Sequence, residues 1–140
     1  MNAQDQNEHA LDAQIRGYCK NLPSYARRVT ASILFYYLTN LVLKKTVSKA
    51  EMMDKLWGEA LAVEFKKSFN ITLDQQERSI RANEFYLNHG HIVGQVISLA
   101  IKVFSQKAEP ILSCDSSTSD EVNKAIAAIY FELYATIVSC

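Results

Sequence analysis

Two histidines, His89 and His91, flank a single glycine and could in principle bind a metal. A structural zinc site needs four nitrogen or sulfur ligands, usually in closely spaced pairs of cysteine or histidine. The cysteines stand singly, far from these histidines and from one another: Cys19, Cys114 and Cys140. The chain contains no Glu-x-x-His pair of the kind found in di-iron bundles. We therefore predict a histidine at a helix end, near the terminal carbonyl groups, and no bound metal.

A cysteine would act as a nucleophile if the fold placed it beside a histidine. Cys19 lies near the predicted C-terminus of a helix, where the helix dipole disfavours a thiolate. Cys114 is followed by Asp115, whose negative charge also disfavours a thiolate.

The four glycines, at positions 17, 58, 90 and 94, never cluster, so the sequence lacks a Walker loop and a dinucleotide-binding fingerprint. We expect no enzymatic activity and no organic cofactor, and keep an enzyme that acts through a thiol or a histidine as the third hypothesis.

The composition favours helices as the elements that carry these residues. The 140 residues are 49% hydrophobic, and four glycines and two prolines leave little turn chemistry for an all-β protein. Hydrophobic residues recur with a helical period, and the length suits one domain. We predict an all-α single domain over residues 1–140, a compact bundle of about six helices.

The predicted helices span about residues 5–20, 24–45, 49–69, 73–88, 91–107 and 120–138. The second of these is apolar on nearly every side, which is typical of a helix enclosed by its neighbours. Residues 24–45 are therefore predicted to form a largely buried central helix.

Capping residues and helix breakers set the predicted helix ends. The sequence contains two capping boxes, Ser48 with Glu51 and Thr118 with Glu121. Thr72 is a candidate cap for the helix over residues 73–88. Gly90 is predicted to stop that helix in a left-handed conformation, and Pro110 to close the next one.

No segment predicts a membrane protein or a secreted one. The longest apolar segment, residues 31–43, is shorter than the about 20 residues needed to cross a bilayer. The first eleven residues are polar and lack the basic and apolar regions of a signal peptide. We expect a cytoplasmic protein with no membrane contact.

Charges are segregated along the chain, although fifteen basic and fifteen acidic side chains cancel overall. Every charged residue between positions 13 and 50 is basic: Arg16, Lys20, Arg27, Arg28, Lys44, Lys45 and Lys49. Acidic residues are concentrated in the first 12 residues and from position 109 onward. Such segregation indicates an interaction surface.

The basic segment, residues 16–49, could contact phosphates, which would make the protein a small helical nucleic-acid-binding regulator. A recognition helix, however, presents polar side chains to base edges, and the helix within this segment is apolar. Arg28 and Lys44 would also lie about 24 Å apart along that helix. We keep nucleic-acid binding as the alternative function.

The acidic residues favour a protein partner with a basic surface, because opposite charges speed association and select partners. The predicted partner-binding residues are Asp5, Glu8, Asp12, Glu109, Asp115, Asp120 and Glu121. Tyr130, Phe131 and Tyr134 cannot all share the inward face of the last helix, so some pack elsewhere in the bundle or contact a partner. Our leading hypothesis is an intracellular inhibitor of the immunity type, which masks the functional surface of a partner such as a basic nuclease toxin.

Overall fold

The computed structural model describes residues 3–42, 56–113 and 118–139. These residues form five helices and contain no strand: α1 (Ala3–Cys19), α2 (Ser24–Val42), α3 (Gly58–Phe69), α4 (Gln75–Leu112) and α5 (Ser119–Val138). The predicted all-α bundle is confirmed. None of the helices in these ranges is both long enough and apolar enough to span a bilayer.

The two helices predicted over residues 73–88 and 91–107 form one continuous helix, α4, of 38 residues. The predicted stop at Gly90 does not occur, because Gly90 has no positive φ and lies buried inside the helix. A Cβ atom at position 90 would lie only 2.7 Å from the ring of Tyr86, one turn earlier. The glycine therefore makes room for a ring instead of ending the helix. Pro110 lies in the last turn, and α4 ends two residues later at Leu112.

Side chains cap the beginnings of α4 and α5. Thr118 Oγ1 accepts the backbone N–H of Glu121, and a Glu121 carboxylate oxygen accepts the N–H of Thr118, each at 3.2 Å. The predicted capping box is therefore confirmed. At α4 the cap is Asp74 and not Thr72, because Asp74 Oδ1 accepts the N–H of Glu77 at 2.8 Å. The other predicted box, Ser48 with Glu51, lies outside the described residues.

The core lies around α4, which contacts all four other helices, while α2 contacts α3, α4 and α5. The buried residues of α2 are Ala26, Val29, Thr30, Ala31, Ile33, Leu34 and Leu38. The predicted helix is thus confirmed over residues 24–42 and is largely buried along one face, but α4, not α2, contacts all the other helices. Residues 43–45 lie outside the described ranges. On α4, burial extends from Ala82 to Ala108. Each large apolar side chain buried in this way stabilises the fold by roughly 1.5–3 kcal/mol.

Replacing Gly94 by alanine is expected to raise the free energy of unfolding by about 0.5–1 kcal/mol, the helix-propensity difference between the two residues. Gly94 is exposed inside α4, and no atom lies within 4 Å of its Cβ position. Gly90→Ala is expected to lack this gain, because the new Cβ would clash with the Tyr86 ring, which packs on Trp57 at a centroid distance of 5.9 Å and would have to shift. Urea denaturation of both variants provides the measurement. Equal stabilisation by the two changes would contradict the packing of Tyr86 on Gly90.

Candidate functional site

The two histidines singled out in the sequence lie in the middle of α4 and not at a helix end. His89 is half-buried, with the rings of Phe85 and Tyr25 at centroid distances of 5.3 and 6.1 Å. The Tyr25 hydroxyl lies 3.3 Å from His89 Nε2, and burial lowers the pKa of His89. His91 is exposed. Among the described residues, no group of three or more histidine, cysteine or acidic side chains could hold a metal ion.

Of the cysteines, Cys19 is buried in the core of the bundle. Cys114 and Cys140 lie outside the described residues. The exposed groups that could bind another molecule lie instead on α2 and α5.

Five aromatic side chains form a continuous patch on these two helices, which we name the aromatic surface: Phe35, Tyr36, Tyr130, Phe131 and Tyr134. Neighbouring ring centroids lie 5.3 Å apart for Phe35 and Tyr130 and 5.7 Å apart for Tyr130 and Phe131. Phe131 is 64% exposed, Phe35 49% and Tyr134 40%. Large apolar rings exposed side by side are typical of a surface that binds another molecule.

Tyr130 holds this surface together. Its hydroxyl donates a hydrogen bond to the backbone carbonyl of Ala31 at 3.3 Å, which ties α5 to α2. Burial, together with the charge that Tyr134 carries when ionised, raises the pKa of Tyr130 to about 12. The Tyr130 ring thus lies between α5 and α2, and the more exposed rings of Phe35 and Phe131 pack against it.

Two grooves flank the aromatic surface, and both are lined by Phe35, Tyr130 and Phe131. The apolar groove has a volume of about 310 Å³, and its other lining residues include Leu38, Phe104 and Ile126. The mixed groove, of about 440 Å³, lies between α2, α3 and α5. Its other lining residues include Arg28, Tyr36, Val63, Glu64, Lys67 and Tyr134.

One wall of the mixed groove is built from a buried carboxylate. Glu64 on α3 accepts a hydrogen bond from Arg28 Nε on α2 at 2.6 Å and another from Ser68 Oγ at 2.7 Å. Burying a carboxylate costs free energy unless it is paired and hydrogen-bonded. Arg28 therefore neutralises Glu64 and connects α2 to α3, a role different from the predicted contact with phosphate.

The predicted acidic site is only partly described. Glu121 serves the cap of α5, and Asp120 is exposed one turn before Asn123, which lines the apolar groove. Asp12 is half-buried and Glu109 is exposed, and neither lines the two grooves. Three predicted residues lie where the structure describes no side chain: Asp5, Glu8 and Asp115. None of the predicted acids with a described side chain lines either groove, and Asp120 lies three residues before Asn123 of the apolar groove.

The predicted basic segment, residues 16–49, is also only partly described. Arg28 is paired with Glu64, and Arg27 is half-buried with its Nη2 at 3.1 Å from Ser24 Oγ. Arg16 and Lys20 are exposed on α1 and directly after it. The remaining predicted phosphate contacts lie outside the described residues: Lys44, Lys45 and Lys49. Of the described residues in this segment, Arg28 is therefore already held by a carboxylate.

Three residues that line these grooves are not evident as site residues from the sequence: Phe35, Tyr36 and Glu64. One signal was available for the two rings, because a helix that is apolar on all sides leaves an apolar face exposed wherever no neighbouring helix covers it. Glu64 carried a weaker signal, a carboxylate beside the hydrophobic residues of α3. Its partner Arg28 is 36 residues away, so the pair could not be identified by local spacing.

The chain matches no protein-family model, no curated protein and no solved structure. Its function must therefore be inferred from the aromatic surface and the grooves beside it.

Replacing Arg28 by methionine is expected to lower the free energy of unfolding by roughly 1–3 kcal/mol, because Glu64 keeps only its bond from Ser68. The double variant Arg28→Met/Glu64→Met is expected to recover part of this loss, since no buried charge is then left unpaired. Lys67→Met is the control, because Lys67 is exposed and the described ion pairs do not include it. Urea denaturation compares the variants. A double variant no more stable than Arg28→Met would contradict the proposed pairing.

The raised pKa of Tyr130 predicts a loss of stability in alkali. The unfolded chain loses the Tyr130 proton near pH 10.0, whereas the folded protein keeps it to about pH 12. The stabilisation is therefore complete below pH 10 and lost as the pH rises towards 12. Between about pH 9 and pH 11, wild type should lose more unfolding free energy than Tyr130→Phe, with Tyr86→Phe as the control. Parallel pH profiles for wild type and Tyr130→Phe would contradict this assignment.

Proposed function

We propose that the protein is a binding domain that recognises another protein through the aromatic surface. The exposure of Phe131, Phe35 and Tyr134 in one patch is the observation that supports this function. Aromatic residues are enriched at protein interfaces, where burying each large ring contributes on the order of 2 kcal/mol. Rings that remain in water contribute little to the stability of the fold. A partner that covers them would gain binding free energy from their burial.

The surface is well suited to binding because its rings lie on helices that are packed together without a partner. Phe35 and Phe131 lie on these two helices and contact the Tyr130 ring, whose hydroxyl is bonded to α2. A pre-ordered surface loses little side-chain entropy on association, which leaves more of the burial energy for affinity. The neighbouring apolar groove offers room for an apolar side chain of the partner.

The finer proposal is that binding inhibits the partner, as an immunity-type protein does, by covering a surface that the partner needs. Inhibition of this kind requires shape and affinity but no catalytic group. Asp120 beside the apolar groove supports a contact with a basic side chain of the partner at that edge.

Affinity purification of the tagged chain from its own cells, with quantitative mass spectrometry, tests this proposal. The wild type is compared with Phe131→Ser and Phe35→Ser. Leu87→Ser is the control, because Leu87 is 73% exposed on α4 and lines neither groove. The co-purified protein is then made separately, and its Kd and its activity are measured with each variant.

We expect the two phenylalanine variants to weaken binding by about tenfold or more, and to relieve inhibition equally, while Leu87→Ser binds like wild type. A partner bound equally by wild type and Phe131→Ser would refute the role of the aromatic surface. A partner bound normally but left fully active would refute inhibition alone.

A further inference from the structure

The interaction surface extends past the mixed groove into a third one, the basic groove, of about 500 Å³. The basic groove shares Tyr36, Val63 and Lys67 with the mixed groove, as the mixed and apolar grooves share three aromatic rings. The other residues that line the basic groove include Glu59, Lys66, Thr72 and Arg78. The surface therefore changes along its length from almost purely apolar to basic.

The charges of the basic groove are not neutralised within the described part of the chain. The ion pairs among the described residues involve Arg28, Arg81 and Lys107. They do not include the three cations of the basic groove: Lys66, Lys67 and Arg78. Lys66 Nζ lies 3.5 Å from the neutral Thr72 hydroxyl, and Arg78 Nε donates to the Leu73 carbonyl at 3.2 Å. Among the described residues of the lining, three cationic side chains thus accompany one carboxylate, that of Glu59.

Helix-end electrostatics explains only part of this cluster. Lys66 and Lys67 lie in the last turn of α3, where the helix dipole favours cations. Arg78 lies near the N-terminus of α4, where the dipole disfavours them. Cations from two different helices therefore converge on one groove, and an anionic group of a ligand would complement them.

We propose that the partner contributes a segment with apolar side chains against the aromatic surface and aspartate or glutamate side chains in the basic groove. This inference depends on the proposed function and specifies the chemistry of the partner. The surface crosses from α5 over α2 to α3, about 20 Å at the usual helix spacing of 8–10 Å. A helix of about 13 residues spans that distance.

A nucleic acid fits the same surface poorly. A phosphate backbone would need cations on both sides of the exposed rings, yet the described residues that line the apolar groove include no charged side chain. Asp120, one turn from Asn123 in that groove, would repel phosphates there. A peptide segment can instead change from apolar to acidic along its length, as the surface requires.

Selection of displayed random peptides of about 16 residues, long enough to cover the surface as a helix, tests the proposal on the full chain. We expect enrichment of peptides that combine phenylalanine or leucine with aspartate or glutamate. Synthetic copies of the selected peptides are then titrated by fluorescence anisotropy. The comparison includes wild type, Lys66→Glu/Lys67→Glu, Phe131→Ser and the control Lys102→Glu, an exposed lysine of α4 outside the three grooves.

Both Lys66→Glu/Lys67→Glu and Phe131→Ser should weaken peptide binding by about tenfold or more, Lys102→Glu should not, and added salt should weaken wild-type binding. Peptides rich in lysine or arginine, or no enriched peptide at all, would overturn the proposal. Peptides that need Phe131 but not the two lysines would overturn it while leaving the proposed function intact, whereas peptides that need neither would count against both. A DNA or RNA duplex that binds wild type, but not Lys66→Glu/Lys67→Glu, would assign the basic groove to nucleic acid instead.

Discussion

The packing of four helices against one unbroken helix is the constraint on which the rest of the structure depends. The 38 residues of α4 form a rod of about 57 Å, and burial along it extends from Ala82 to Ala108. The small residue Gly90 allows the Tyr86 ring to lie against the helix without interrupting it. Because α2 and α5 both pack on α4 and on each other, their relative position is fixed.

The exposed face of α2 and α5 follows from this arrangement. On α5, the buried residues Ile129, Leu133 and Ile137 recur every four positions, so Phe131 and Tyr134 point away from the core. On α2, neighbouring helices cover Leu34 and Leu38 but leave half of Phe35 in solvent. The bundle thus buries one apolar face of each helix and leaves a second, adjoining face uncovered.

Sequence reasoning could predict those features that depend on neighbours along the chain. Helical periodicity predicted the all-α class and the burial of α2, and the Thr118–Glu121 box was predicted from its spacing alone. Features set by distant contacts could not be predicted in this way. A glycine can end a helix or leave space for a neighbouring ring, and the sequence does not distinguish the two roles. At Gly90 the packing of Tyr86 and Trp57 shows that it leaves space for a ring. The helical period predicts that Phe131 and Tyr134 lie off the buried face of their helix. Whether another helix covers them depends on the tertiary packing, which the period does not predict.

Hydroxyl-radical footprinting with mass spectrometry, applied to the free chain and to its complex, is the most direct test of a preformed aromatic binding surface. In the free chain Phe131 and Phe35 should be modified readily, while the buried rings of Phe104 and Phe85 should be protected. In the complex, Phe131, Phe35 and Tyr134 should become protected, and Leu87 should remain reactive. If Phe131 in the free chain were as protected as Phe104, or if it stayed fully reactive in the complex, the account would be contradicted.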